Sequence, residues 1–166
     1  YHALVRAGGA TLDAQAKPLA CLKGLAARDV DTRCPDFFKR VQGWDSLGTA
    51  IRTQLDAAPG TLLLTHERDT MSELLYYARP ASRGAVLWNP THAITSHYAL
   101  VTQMEGHGGR SFLFLSRDKT LPPAMADSFL RVTPLPDLTI TATPGWPLAY
   151  HLWRLEGFIG YPMVLR

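Results

Sequence analysis

The sequence predicts a Rossmann-like three-layer α/β sandwich, with a mostly parallel sheet and antiparallel strands at one edge. Three observations predict it. Apolar residues at helical spacing alternate with short β-rich apolar runs between residues 44 and 116. That helix–strand alternation is the mark of βα crossover units around a parallel sheet. Right-handed crossovers then place helices on both faces. After residue 129 the strand-like runs follow one another with short connections, which is the pattern of antiparallel pairing.

The elements follow in order. Residues 1–40 are the least regular part of a single domain spanning 1–166. Leu19, Leu22, Leu25 and Ala26 suggest a short helix after Pro18. Trp44, Leu47, Ile51 and Leu55 recur at three and four residues, one face of an amphipathic helix. Pro59-Gly60 ends it. Thr61–Thr65 reads as a buried strand. Thr70 followed by Glu73 fits a capping box, and Met71, Leu74, Leu75 and Ala78 form that helix's apolar face. Pro80 stops it. Ala85–Trp88 is a second buried strand. A helix from Ser96 to about Glu105 ends at Gly106–Gly109, a C-cap and turn. Ser111–Ser116 is a third buried strand. Phe129–Leu135 and Leu138–Thr143 read as two strands divided by Pro136-Asp137. Tyr150–Phe158 alternates as a last strand, with Trp146 in the loop before it.

Composition narrows the function. The 166 residues are 46% hydrophobic and 19% charged, which is globular and not disordered. Residues 1–60 carry eight bases and six acids, and residues 61–166 carry nine and eight. No basic stripe results, which argues against a nucleic-acid partner. No apolar run approaches the ~20 residues that cross a bilayer. The sequence begins at Tyr1, not Met, with no basic stretch leading into an apolar one, and it reads as a piece of a longer protein. Cys21 and Cys34 have twelve residues between them, neither a redox nor a zinc spacing. Bridged, they would close a loop of about 15 residues worth about 3 kcal/mol. The other reading is two reduced thiols.

Ligands of open α/β sheets sit outside the carboxyl ends of the strands. Those ends are His66-Glu67-Arg68-Asp69, Asn89-Pro90-Thr91-His92 leading to His97-Tyr98, and Ser116-Arg117-Asp118. A metal site from His66, Asp69, His92 and His97 lacks any H-x-x-x-H or H-E-x-x-H spacing. No glycine-rich turn follows the first strand, which disfavours a dinucleotide. No G-x-S-x-G elbow exists for a serine nucleophile. Glu67 and Asp69 suit a helix N-terminus, where acids complement the dipole. No catalytic residue, cofactor or metal ligand is therefore assigned from the residues themselves.

Phe38–Asp45, His66-Glu67-Arg68, Ser72–Tyr77, Trp88-Asn89-Pro90, His97–Leu100 and Leu155–Tyr161 together resemble a known arrangement over residues 37–161. It is similar to the C-terminal domain of bacterial polytopic glycosyltransferases, such as protein O-mannosyltransferases and lipid A aminoarabinose transferases. The resemblance implies a domain on the extracytoplasmic face of the inner membrane, following a last membrane helix. The membrane part would hold the catalytic carboxylate and the polyprenyl-phosphate sugar. This chain would then assist acceptor recognition or gating, with the membrane part of the same polypeptide and a glycan, lipid or protein acceptor as partners. His66, Glu67 and Asp69 would bond acceptor hydroxyls. Asn89, His97 and Tyr98 would form the opposite wall, and Arg117 would meet a phosphate or carboxylate. Export would favour the Cys21–Cys34 bridge. Two other readings stand beside it. One is a free-standing hydrolase or transferase with a histidine-lined cleft; the other is a protein-interaction module.

Overall fold

The computed structural model describes residues 42–143 and 146–162. The helix expected after Pro18, the Cys21–Cys34 pair and the Phe38–Val41 part of the resemblance lie outside them. The described elements are α1 (Trp44–Asp56), β1 (Leu62–Thr65), α2 (Arg68–Tyr77), β2 (Val86–Leu87), α3 (His97–Val101), β3 (Phe112–Ser116), β4 (Phe129–Thr143) and β5 (Trp146–Phe158). A 3₁₀ turn, Ala126–Ser128, leads into β4. Among the described residues no helix is long and apolar enough to cross a membrane.

The described residues are mixed α/β around a five-stranded mixed sheet, ordered β2-β1-β3-β5-β4. β1 pairs in parallel with β2 and β3, and β5 runs antiparallel to both β3 and β4. The antiparallel edge expected from the short connections is thus present. β1 is paired along both edges and packed on both faces, and it reads as an unbroken apolar run. Leu63 enters one core cluster and Leu64 the other.

Expected helices on both faces are the point of difference. Trp44, Leu47, Ile51 and Leu55 of α1 join Met71 and Leu74 of α2 and Ala99 of α3 in a single cluster. The other face buries Trp88, Phe112, Phe114, Phe129, Trp153 and Phe158 beneath Met104, Leu121 and Met125. Met104 and Met125 are fully buried, yet neither belongs to an α-helix. The β2–β3 crossover supplies no helix to that face, because its five-residue α3 packs Ala99 on the α1–α2 side. The expected run to Glu105 stops because Thr102 leaves helical geometry at φ −123°, ψ 59°. The Thr102 carbonyl instead accepts the Leu87 N–H at 2.8 Å, covering the outer edge of β2.

The remaining differences are local. The helix α2 starts at Arg68, not at Thr70, with Glu67 as the N-cap residue and no side-chain bond to a backbone N–H. Thr70 sits buried in the first turn, and its hydroxyl donates to Glu67 Oε2 at 2.6 Å. The expected Thr70–Glu73 box is not formed: only Thr70 engages the turn, and Glu67 is its acid partner. Residues 129–143 form one strand, because Pro136-Asp137 is absorbed as an irregularity between Leu135 and Leu138. Pro134 and Pro136 are tolerated there because β4 is an edge strand, where a missing N–H breaks no ladder. Asp137 also ties the irregularity to the next strand, its Oδ1 lying 2.8 Å from His151 Nδ1. Trp146 is not in a loop: it opens β5, opposite Thr143.

Candidate functional site

β1 and β3 are neighbours, so their carboxyl ends emerge side by side. Each ends in a buried hydroxyl residue, Thr65 and Ser116. Each hydroxyl accepts the backbone N–H two residues on: Glu67 N–H to Thr65 Oγ1 at 3.3 Å and Asp118 N–H to Ser116 Oγ at 2.9 Å. Such turns are the ordinary way a Ser or Thr ends a strand without orphaning an amide. Here they set His66-Glu67 and Arg117-Asp118 next to each other.

The cluster that results is closely knit. His66 Nε2 lies 3.8 Å from Asp118 Oδ2. The His66 ring rests against Phe114, with centroids 5.7 Å apart. Its Nδ1 is buried and has no hydrogen-bond partner. Glu67 accepts from the Thr70 hydroxyl. Arg117 donates from Nε and Nη2 to the Tyr150 hydroxyl at 3.3 and 3.1 Å. Its guanidinium also lies 5.5 Å from the Tyr150 ring and 5.9 Å from the Trp44 ring.

Tyr150 is the residue that sequence reading missed. The register opposing Ser116 to His151 places Tyr150 one step past the end of β3, beside Arg117. Its ring is buried in the helix-side core. The one sequence signal was a tyrosine at an apolar position of an alternating strand, since a buried phenol needs a partner. Burial pushes the Tyr150 hydroxyl above the ordinary tyrosine value, Arg117 opposes that rise through its hydrogen bond and charge, and Glu67 adds to it. A phenol whose folded-state pKa is raised contributes stability that is complete below the unfolded value of about 10 and is lost as pH rises beyond it. Tyr161 behaves alike, raised chiefly by burial. Denaturant titrations between pH 8 and 11, both about the tyrosine range, should show stability level at first and falling above the ordinary tyrosine value. Tyr150→Phe should make that fall shallower, and an unchanged slope would contradict the assignment.

The other expected site residues lie elsewhere. Asp69 is exposed and pairs with its neighbour Arg68 at 3.0 Å. Asn89 is consumed by its own turn: its backbone N–H donates to the Tyr161 hydroxyl, its side-chain amide to Ala93 O, and its Oδ1 accepts from Thr91. His97 is exposed at the first position of α3, with its ring against that of Tyr98. Tyr98 packs against the helix-side core. Among the described residues, no hydrogen bond, ion pair or ring contact joins Asn89, His97 or Tyr98 to His66, Glu67 or Arg117. Likewise, no group of three or more His, Cys, Asp or Glu among them could hold a metal ion.

Fold and rim together define a small mixed α/β domain with a polar cluster at the carboxyl ends of two parallel strands. Set against protein-family models, curated proteins and solved structures, the chain matches none.

Proposed function

We propose that this chain is the C-terminal, extracytoplasmic domain of a polytopic membrane glycosyltransferase. In this reading it faces the active site from the outer side of a bacterial inner membrane. It helps to receive the acceptor while the membrane part of the same polypeptide moves a sugar from a polyprenyl-phosphate. A Rossmann-like crossover belongs to the same proposal, supported by the parallel β1–α2–β2 unit.

One observation carries the reading beyond the sequence resemblance: Glu67 and Arg117 of the rim are each held by a neighbouring hydroxyl. Glu67 is held by Thr70, Arg117 by Tyr150, and His66 stands beside Asp118. Groups fixed in this way suit a rigid surface that reads hydroxyls. A reacting nucleophile would instead want a base within about 2.6–3.2 Å. Arg117, committed to a phenol and two ring faces, has less to offer a phosphate than its charge suggests.

The test uses the chain alone and joined to its membrane part in lipid bilayers, supplied with a polyprenyl-phosphate sugar. Transfer is expected only from the joined form. Glu67→Gln should raise the acceptor KM about tenfold and leave the donor KM unchanged, since a hydrogen bond to a charged group is worth about 1.5–3 kcal/mol. Turnover by the chain alone that disappears in His66→Ala would replace this reading with that of a free-standing enzyme.

A further inference from the structure

A second place on the molecule has the makings of a ligand site. A cleft of about 250 Å³ lies between the turn following Met104 and the segment following β5. Its walls include Met104, Glu105, Gly108, Phe158, Gly160 and Tyr161. It lies apart from the rim, and its assignment does not depend on the membrane reading.

Three features of these walls bear on what would fit. The first is a fixed aromatic wall. Tyr161 is gripped by Trp88, His92 and Phe158, with ring centroids 4.8, 5.3 and 5.8 Å away. Its hydroxyl is held by the Asn89 N–H at 3.1 Å. The ring is therefore oriented before any ligand arrives, which removes an ordering cost from binding. The second is a carboxylate acceptor. Glu105 Oε1 lies 3.1 Å from His92 Nδ1 on the neighbouring turn. The third is a set of bare backbone. A Cβ at Gly106, Gly108 or Gly160 would meet nothing within 4 Å. Among the described residues, the N–H groups of these glycines donate to no backbone carbonyl.

Aromatic wall, carboxylate acceptor and uncommitted N–H donors form a mixed set. A hydroxyl-bearing ring uses all three, because each hydroxyl both donates and accepts while the ring's C–H face is apolar. An ammonium would use the carboxylate and the ring but no donor. A phosphate would use the donors but face the carboxylate. Sharing Glu105 with His92 further reduces the pull on a cation. Size agrees: the cleft falls just below the range of about 300–1,000 Å³ typical of drug-sized ligands. We propose that the Glu105–Tyr161 cleft binds one neutral sugar ring.

The experiment is a two-dimensional amide NMR titration of the full chain with methyl glycosides of glucose, galactose, mannose and arabinose. Inorganic phosphate and methylammonium serve as controls. At least one glycoside is expected to shift the amides of Gly106, Gly108, Gly160 and Tyr161, with a Kd of about 1–10 mM typical of weak single-ring contacts. Gly108→Leu should abolish those shifts. Gly108 lines the cleft, is not held at a positive φ and leaves room for a Cβ, so a bulky side chain there crowds the cleft without straining the backbone. Glu105→Gln should weaken the same binding about tenfold, as loss of a charged acceptor does. Should Gly108→Leu fail to fold, Glu105→Gln carries the test alone. The proposal is overturned if no glycoside moves these amides, if shifts appear only around His66 and Arg117, or if phosphate or methylammonium moves them as strongly.

Discussion

Gly48→Ala destabilises this protein by about 1–3 kcal/mol, the usual cost of overpacking a close contact. The sign is the point of interest. Inside an ordinary helix, replacing Gly by Ala stabilises by about 0.5–1 kcal/mol, and Gly48 is the fifth residue of the thirteen in α1. Here α1 crosses α2 at this glycine. A Cβ would lie 2.5 Å from Tyr77 Cβ, 2.6 Å from its carbonyl carbon and 2.7 Å from its carbonyl oxygen. Two of those atoms are backbone, and the carbonyl is held in place by Arg52 Nη2 at 2.8 Å. Neither helix can yield without disturbing the core that Leu47, Ile51 and Leu74 share. Urea denaturation should show a lower midpoint at unchanged slope, the signature of lost stability without a change in what unfolds. A midpoint equal to or above that of the parent would show that the helices part freely at this point.

Phe114→Ala is expected to cost more, about 3–5 kcal/mol, as removing a fully buried phenylalanine does. Against a total of about 5–15 kcal/mol for a typical domain, that approaches unfolding. Phe114 is fully buried in the centre of β3. It packs on Trp153 at 5.6 Å and on the His66 ring at 5.7 Å. The loss therefore reaches the candidate site: without the phenyl ring, His66 has no wall to hold it beside Asp118. Phe114→Leu keeps most of the volume and should cost under about 1.5 kcal/mol. Leu130→Ala, at a side chain left 77% exposed, provides the contrast. It should stay within about 0.5 kcal/mol. Chemical denaturation measures all three, and the His66 ring resonances report whether its setting survives. A Phe114→Ala protein as stable as Leu130→Ala would mean that the loop-covered face is not a packed core.

Both predictions concern features that differ in how far they could be read from the residues. The strands β1 and β3 were legible because Leu62–Thr65 and Phe112–Ser116 are short apolar runs between turn signals. A strand buried on both faces leaves that trace in any sequence. The face of α1 was legible from the spacing of Trp44, Leu47, Ile51 and Leu55. The close approach at Gly48 was not, because nothing local tells a glycine that admits a neighbour from one that merely weakens a helix.

The candidate site divides in the same way. His66, Glu67 and Arg117 could be named because they follow strands, and polar residues there are the default ligand contacts of open sheets. Asn89 and His97 were named by the same rule but belong to other neighbourhoods. β2 has only two residues, and the chain after it turns toward Tyr161. Tyr150 and Tyr161 became visible only through pairing and packing, since each is brought to its partner from over thirty residues away.

What the sequence determined by itself was the set of local choices: where apolar periodicity changes from helix to strand, where turns interrupt it, and which polar residues end the strands. These depend on near neighbours, and near neighbours are written in order along the chain. What only the tertiary structure decided was the competition among distant groups. Thr102 leaves its helix because the Leu87 amide at the edge of β2 is there to take its carbonyl. Pro136-Asp137 stays within a strand because an edge tolerates the missing donor. Arg117 meets a buried phenol because the β3–β5 register puts it there. In each case the deciding partner lies far along the chain, where no local pattern can announce it.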